Sequence, residues 1–90
     1  MRKMNSTVSI KIEMENGDLY ELSRPSTIKN IKEHKPVIIM LTDGDVIEAE
    51  EVTFFRDYME AKVNDSYTRV ITENTVFGWA YKDDDKIENI

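Results

Sequence analysis

Cysteine is absent from this 90-residue chain, and its absence removes three chemistries at once. No disulfide can staple the core, no thiolate can act as a nucleophile, and no thiol can ligate zinc. The single histidine, His34, cannot close a tetrahedral site alone, so neither a structural metal nor a cofactor is expected. Long apolar runs are missing as well. Behind Arg2 and Lys3 the segment Val8-Ser9-Ile10-Lys11-Ile12-Glu13 alternates, so no signal peptide and no membrane-spanning helix is expected. Without disulfides or an export signal, the expected location is the reducing cytoplasm. Three glycines and two prolines are all the chain has, so each one marks a turn or a break.

What is present is charge and period-two patterning. Twelve basic side chains face eighteen acidic ones, for a net charge of −6. The imbalance is uneven: residues 1–35 carry seven basic and five acidic groups (+2), and residues 36–90 carry five and thirteen (−8). A body of that sign repels phosphate backbones, so nucleic acid is not an expected partner. Solubility is the plain reading of the charge. The sharper one is a surface that meets a basic protein or imitates nucleic acid.

Val8, Ile10, Ile12 and Met14 alternate with polar residues, Asn16-Gly17 turns the chain, and Leu19-Tyr20-Glu21-Leu22 returns it. The register expected sets Met14 opposite Tyr20 and Ile12 opposite Leu22. Pro25 ends this hairpin. One short helix over Ile28–Lys35, a turn of 3₁₀ or plain loop fits the next stretch, and Pro36 stops it. Val37-Ile38-Ile39-Met40-Leu41 is apolar on both faces and needs cover on both sides, from a core and from a helix or a second subunit. Asp43-Gly44 is the next hairpin turn, followed by a strand from Val46 to Phe54 or Phe55. Arg56-Asp57, Asn64-Asp65-Ser66 and Glu73-Asn74 separate three further strands, the last running from Thr75 to Tyr81. Asp83-Asp84-Asp85 reads as a solvated tail. The match between 14–21 and 41–48 reads as one turn chemistry used twice.

No constellation supports catalysis: His34 sits in a polar stretch, and no serine has a nucleophile-elbow context, so the chain is not expected to be an enzyme. Phe77, Trp79 and Tyr81 alternate with the small Gly78 and Ala80. The aromatic face is either core or an outward docking face. Lys29, Lys32 and Lys35 form the one candidate anion contact, without interleaved aromatics for base stacking.

From residue 26 onward, Val37, Ile39, Leu41, Asp43-Gly44, Ile47, Val52, Phe55, Tyr58 and Met59 fall in the order of the first motif of the Sm-like small β-barrel family. The chain resembles that family, a variety of SH3-like barrel, if one extra residue near Ala49-Glu50-Glu51 is absorbed by a bulge. The resemblance implies five bent strands. It also implies an RNA pocket built from an Asn and an Arg-Gly pair, but those positions read Glu60, Thr72 and Glu73. Tyr58 keeps a stacking surface, whereas Glu60 accepts hydrogen bonds without donating them.

The expectation is therefore a single all-β domain with one short helix. It comprises a small bent-strand barrel, Sm-like or SH3-like, over residues 26–82, with an extra N-terminal hairpin at 7–22 and loose ends at 1–6 and 83–90. The expected role is a non-enzymatic interaction module, a small acidic regulator or inhibitor of a protein partner, of which a phage-type inhibitor is one form. Tyr58, Glu60, Phe77, Trp79 and Tyr81 are the candidate interaction residues. The alternative is a homo-oligomeric Sm-like protein that binds RNA or a small ligand. Self-association is expected in either case, from the two-faced strand and the small core, since a chain of this length buries only about 60% of its unfolded surface.

Overall fold

The structure, a computed structural model, describes residues 10–32 and 34–87. The expected strand start at Val8 and Glu33 of the expected helix lie outside them. The chain is mostly β, as its alternation required. Strands β1 (Ile10–Glu13), β2 (Leu19–Leu22) and β9 (Lys86–Ile87) form one antiparallel sheet in the order β1-β2-β9. A second sheet combines β3 (Val37–Leu41), β4 (Val46–Ala49) and β8 (Val76–Tyr81) in the order β4-β3-β8. A third runs β5 (Glu51–Phe54), β6 (Met59–Asn64), β7 (Tyr67–Ile71). Two 3₁₀ turns, Pro25–Asn30 and Glu73–Thr75, connect them. Among the described residues no pairing joins β7 to β8, so the strands do not close into a barrel. No described helix is long and apolar enough to cross a membrane.

The first two hairpins share one turn. Leu41 N–H donates to Asp45 O at 2.8 Å, Gly44 N–H to Leu41 O at 3.0 Å, and Asp45 N–H to the Asp43 carboxylate at 2.9 Å. Met14, Gly17 and Asn16 make the same three bonds, at 2.8, 2.9 and 3.0 Å. Gly44 adopts φ 94° and Gly17 φ 93°, which only glycine takes without strain. This geometry closes Met14 on Asp18 and corrects the expected register. Ile12 lies opposite Tyr20 and Ile10 opposite Leu22. A slip of two residues leaves the same face apolar, so alternation alone does not distinguish the two registers.

Of the alternatives open for the stretch before Pro36, a turn of 3₁₀ is the one formed, over Pro25–Asn30, with Ile28 and Ile31 both buried, and two further expectations are corrected. Apolar residues three apart eclipse one another at three residues per turn, which suits a 3₁₀ turn. The strand after Val46 does not run unbroken: it bends at Glu50, whose N–H donates to Lys62 O at 2.7 Å. And Lys82–Lys86 is no loose tail. Tyr81 N–H donates to the Asp85 carboxylate at 2.8 Å, Lys35 pairs with Asp84, and Leu19 pairs with Ile87.

β3 divides the interior. Val37, Ile39 and Leu41 join Ile47, Val52, Met59, Ile71 and Trp79 in the main core. Ile38 points the other way, into a second cluster with Tyr20 and Ala80, against which Ile12, Met14 and Leu22 pack. The first hairpin is thus the cover that β3 demanded, and it comes from the same chain.

That docking generates two predictions. A Cβ at Gly78 would lie 3.0 Å from Leu22 Cβ and 3.2 Å from Ser23 O. Ser23 also exchanges backbone hydrogen bonds with Trp79 at 2.7 and 3.3 Å, so it has little freedom to yield. Gly78→Ala is expected to cost roughly 1–3 kcal/mol, about 4–8 °C in Tm per kcal/mol for a domain of this size, read by thermal melting. The second concerns Tyr20. Burial, then the Asp18 carboxylate, raises its hydroxyl above the ordinary 10.0. The native state keeps this proton after the unfolded chain has lost it. Stability is therefore full below pH 10 and falls as pH rises through the native value. Lys35, raised by its hydrogen bond to Asp84, acts in the same direction. Tyr20→Phe is expected to flatten the alkaline loss in urea melts between about pH 8 and 11; an unchanged slope would contradict it.

Candidate functional site

The aromatic strand is neither wholly core nor wholly exposed, and a bulge is the reason. Ile39 pairs with Trp79 and Val37 with Tyr81, which places both aromatics on the inner face of the sheet. Between Met40↔Gly78 and Leu41↔Val76 the register shifts, so Phe77 has no partner on β3. The extra residue of a bulge re-aims its side chain, and Phe77 stands 40% exposed while Val76 enters the core. Trp79 is buried; its Nε1–H donates to Thr27 Oγ1 at 2.9 Å, and Thr27 Oγ1–H donates to Arg24 O at 2.7 Å. Tyr81 meets Trp79 edge-on at 5.0 Å and is half-buried. Its hydroxyl accepts from Lys32 N–H at 3.1 Å and donates to Asn30 O at 3.4 Å. Lys35 Nζ sits 4.4 Å from the centre of its ring.

Beside this strand lies an open groove of about 680 Å³. Its apolar walls are Ile10, Leu22, Pro25, Phe77, Trp79 and Tyr81, and Glu21, Arg24, Asn30 and Asp85 supply its polar groups. The first hairpin, the 3₁₀ connector and β8 build its walls, and the turn after β8 adds Asp85. Of its lining, the sequence singled out only Phe77, Trp79 and Tyr81. Ile10, Leu22 and Pro25 were legible as hairpin and break, and nothing local marked their convergence.

The remaining candidates separate. Tyr58 stacks on Phe55 at 4.9 Å and 14°, closing the Arg56-Asp57 turn. The cavity lined by Tyr58 and Glu73 measures about 50 Å³, room for one or two waters and not for a base. Glu60 does not line it; it lies between Thr53 and Val70 on the neighbouring strands. Thr72 Oγ1 bonds Asn74 Oδ1 at 2.8 Å. Of the lysines, Lys29 lies 3.6 Å from Glu73 and Lys35 is held by Asp84, while Lys32 is exposed. The first two cations therefore face carboxylates rather than an open anion site. His34 Nδ1 lies 2.7 Å from Glu51 Oε1. Among the described residues no three His, Asp or Glu side chains come together as a metal site.

No family model, curated protein or solved structure matches this chain.

The groove wall rests on the partly buried Trp79–Thr27 bond. Thr27→Val leaves the indole N–H without an acceptor and is expected to cost about 1–3 kcal/mol, with a shift in the fluorescence of the single tryptophan. Thr27→Ser, which keeps the acceptor, is expected to cost clearly less in the same urea melts.

Proposed function

We propose that this chain is a non-enzymatic interaction module that binds a protein partner through the groove beside Phe77. The observation that carries this reading is the bulge that turns Phe77 out of the core and onto a wall shared with Ile10, Leu22 and Pro25. A contiguous apolar surface rimmed by polar groups is the usual mark of an interaction site. The acidic balance of residues 36–90 supports a regulator or inhibitor of a partner with basic character. The fold that presents the groove is, in this reading, an open Sm-like or SH3-like barrel with an added N-terminal hairpin. What supports it is the chain path: β3, a strand bent at Glu50, β6, β7, a 3₁₀ turn, and β8 returning onto β3.

RNA binding is the weaker reading. The cavity at Tyr58 is too small for a base, and Lys29 and Lys35 are already matched by carboxylates. Self-association also loses its first motive, because Tyr20 of the same chain covers Ile38.

The test replaces Phe77 with a photo-crosslinking phenylalanine analogue and compares it with the same analogue at the exposed Val46, in native lysate with and without nuclease. A protein captured at position 77, absent at 46 and competed by unlabelled chain, is the expected result. Capture that disappears with nuclease, or that is equal at both positions, would contradict the reading. Phe77→Asp is expected to lower capture about tenfold, with a melting temperature within a few degrees of the parent.

A further inference from the structure

The structure assigns the outer edge of β7 a second role, distinct from the groove at Phe77: we infer that it is a strand-addition site for an extended, basic segment of another protein.

The direction of the backbone groups follows from the turn before β6. Phe55 N–H donates to Tyr58 O at 2.8 Å, so the backbone of Tyr58 faces β5. Directions alternate along a strand, which turns Met59 and Ala61 toward β7 and Glu60 and Lys62 toward β5. The bond from Glu50 N–H to Lys62 O agrees. Met59↔Ile71 and Ala61↔Arg69 are therefore the bonded pairs, and the N–H and C=O groups of Thr68 and Val70 point away from the sheet. Among the described residues no turn, loop or cap hydrogen bond reaches them.

Edges are commonly blunted by lysine, proline, a bulge or a covering loop. β7 reads Tyr-Thr-Arg-Val-Ile and has neither proline nor lysine. The irregularity of this pair falls on the β6 side, between Lys62 and Asn64. The one charge on β7, Arg69, is drawn to Asp45 at 3.4 Å. Tyr67, Thr68 and Val70 are exposed, Tyr67 at 51% and Val70 at 60%. A cleft of about 260 Å³ runs alongside, lined by Leu41, Asp43, Val70, Ile71 and Thr75 among others.

Charge selects the occupant. Glu60 lies directly across from Val70, Asp43 lines the cleft, Asp45 already matches the guanidinium of Arg69, and Lys62, across from Thr68, lies 3.6 Å from Asp65 and 4.0 Å from Glu51. An approaching strand therefore meets carboxylates without a free cation between them. A segment that alternates basic and apolar residues is attracted there, whereas a second copy offers on β7 one cation, Arg69, already matched by its own Asp45, within a chain of net charge −6.

The test is amide hydrogen exchange by NMR on the full chain, with a seven-residue capped peptide alternating lysine and valine as the probe. A peptide alternating glutamate and valine is the control. The lysine peptide is expected to slow exchange at Thr68 and Val70 by at least about tenfold, with Arg69 and Ile71 unchanged. The glutamate peptide is expected to do nothing. Val70→Pro removes an outward N–H at an edge position that tolerates proline, and is expected to abolish the effect. Val70→Lys keeps that N–H and is expected to weaken binding about tenfold by repulsion, which covers the case of a misfolded proline variant. Phe77→Asp is expected to leave the peptide's affinity unchanged. The inference is overturned if the lysine peptide perturbs only the Phe77 groove or nothing, or if both peptides act equally. It is also overturned if Thr68 and Val70 are already protected in the free protein in a concentration-dependent way, the signature of a second copy.

Discussion

Everything in this fold depends on a strand that is apolar on both faces. Val37, Ile38 and Ile39 are each fully buried, so consecutive side chains of β3 go to opposite sides and neither side meets water. Burying one such side chain contributes about 1.5–3 kcal/mol, a large share of the net stability of a small domain. A strand of this kind needs two covers. The sheets beyond Asp43 supply one, through Ile47, Val52, Met59 and Ile71. The N-terminal hairpin supplies the other, laying Tyr20 on Ile38 and Ala80. A chain without cysteine has no covalent means to hold two layers together, so the fit of the hairpin on β3 and β8 has to do so.

That fit also shapes the candidate site. The small residues Gly78 and Ala80 let β2 approach β8 closely enough for Ser23 to bond Trp79. Trp79 is then fixed from a second direction by Thr27, and the 3₁₀ connector is drawn against β8. The bulge at Phe77 lies just beyond this anchored stretch, and the groove opens where hairpin, connector and strand diverge. The Asp83–Asp85 turn closes the arrangement at its other end, with Asp85 bonded to both the backbone of Tyr81 and that of Glu21. Acidic residues that look like a solubilising tail are the link between β8 and β9.

Much of this was legible in the sequence, and what escaped did so for identifiable reasons. Alternation located the strands, and Asn16-Gly17 and Asp43-Gly44 located the turns, because glycine at positive φ leaves few alternatives. The hairpin register was misjudged by two residues, a slip to which hydrophobic pattern is blind. The stretch that holds Ile28 and Ile31 was left open between a short helix, a turn of 3₁₀ and plain loop, because a three-residue spacing alone does not distinguish α from 3₁₀. Phe77, Trp79 and Tyr81 were recognised as one face, and no local signal announced the bulge that splits them. Asp85 was missed because its value lies in a contact with Tyr81 that only the turn creates. The groove was invisible in principle, since its walls come from residues 10, 22, 25 and 77.

The central claim is that the hairpin and β3 are one cooperative unit, with each layer stable only against the other. Native-state hydrogen exchange across a series of low denaturant concentrations measures this directly. The account predicts that the ladder amides of β2 and β3 open with the same free energy and the same denaturant dependence, equal to those of global unfolding. Exchange of the β2 amides through an independent opening, orders of magnitude faster than that of β3, would contradict it.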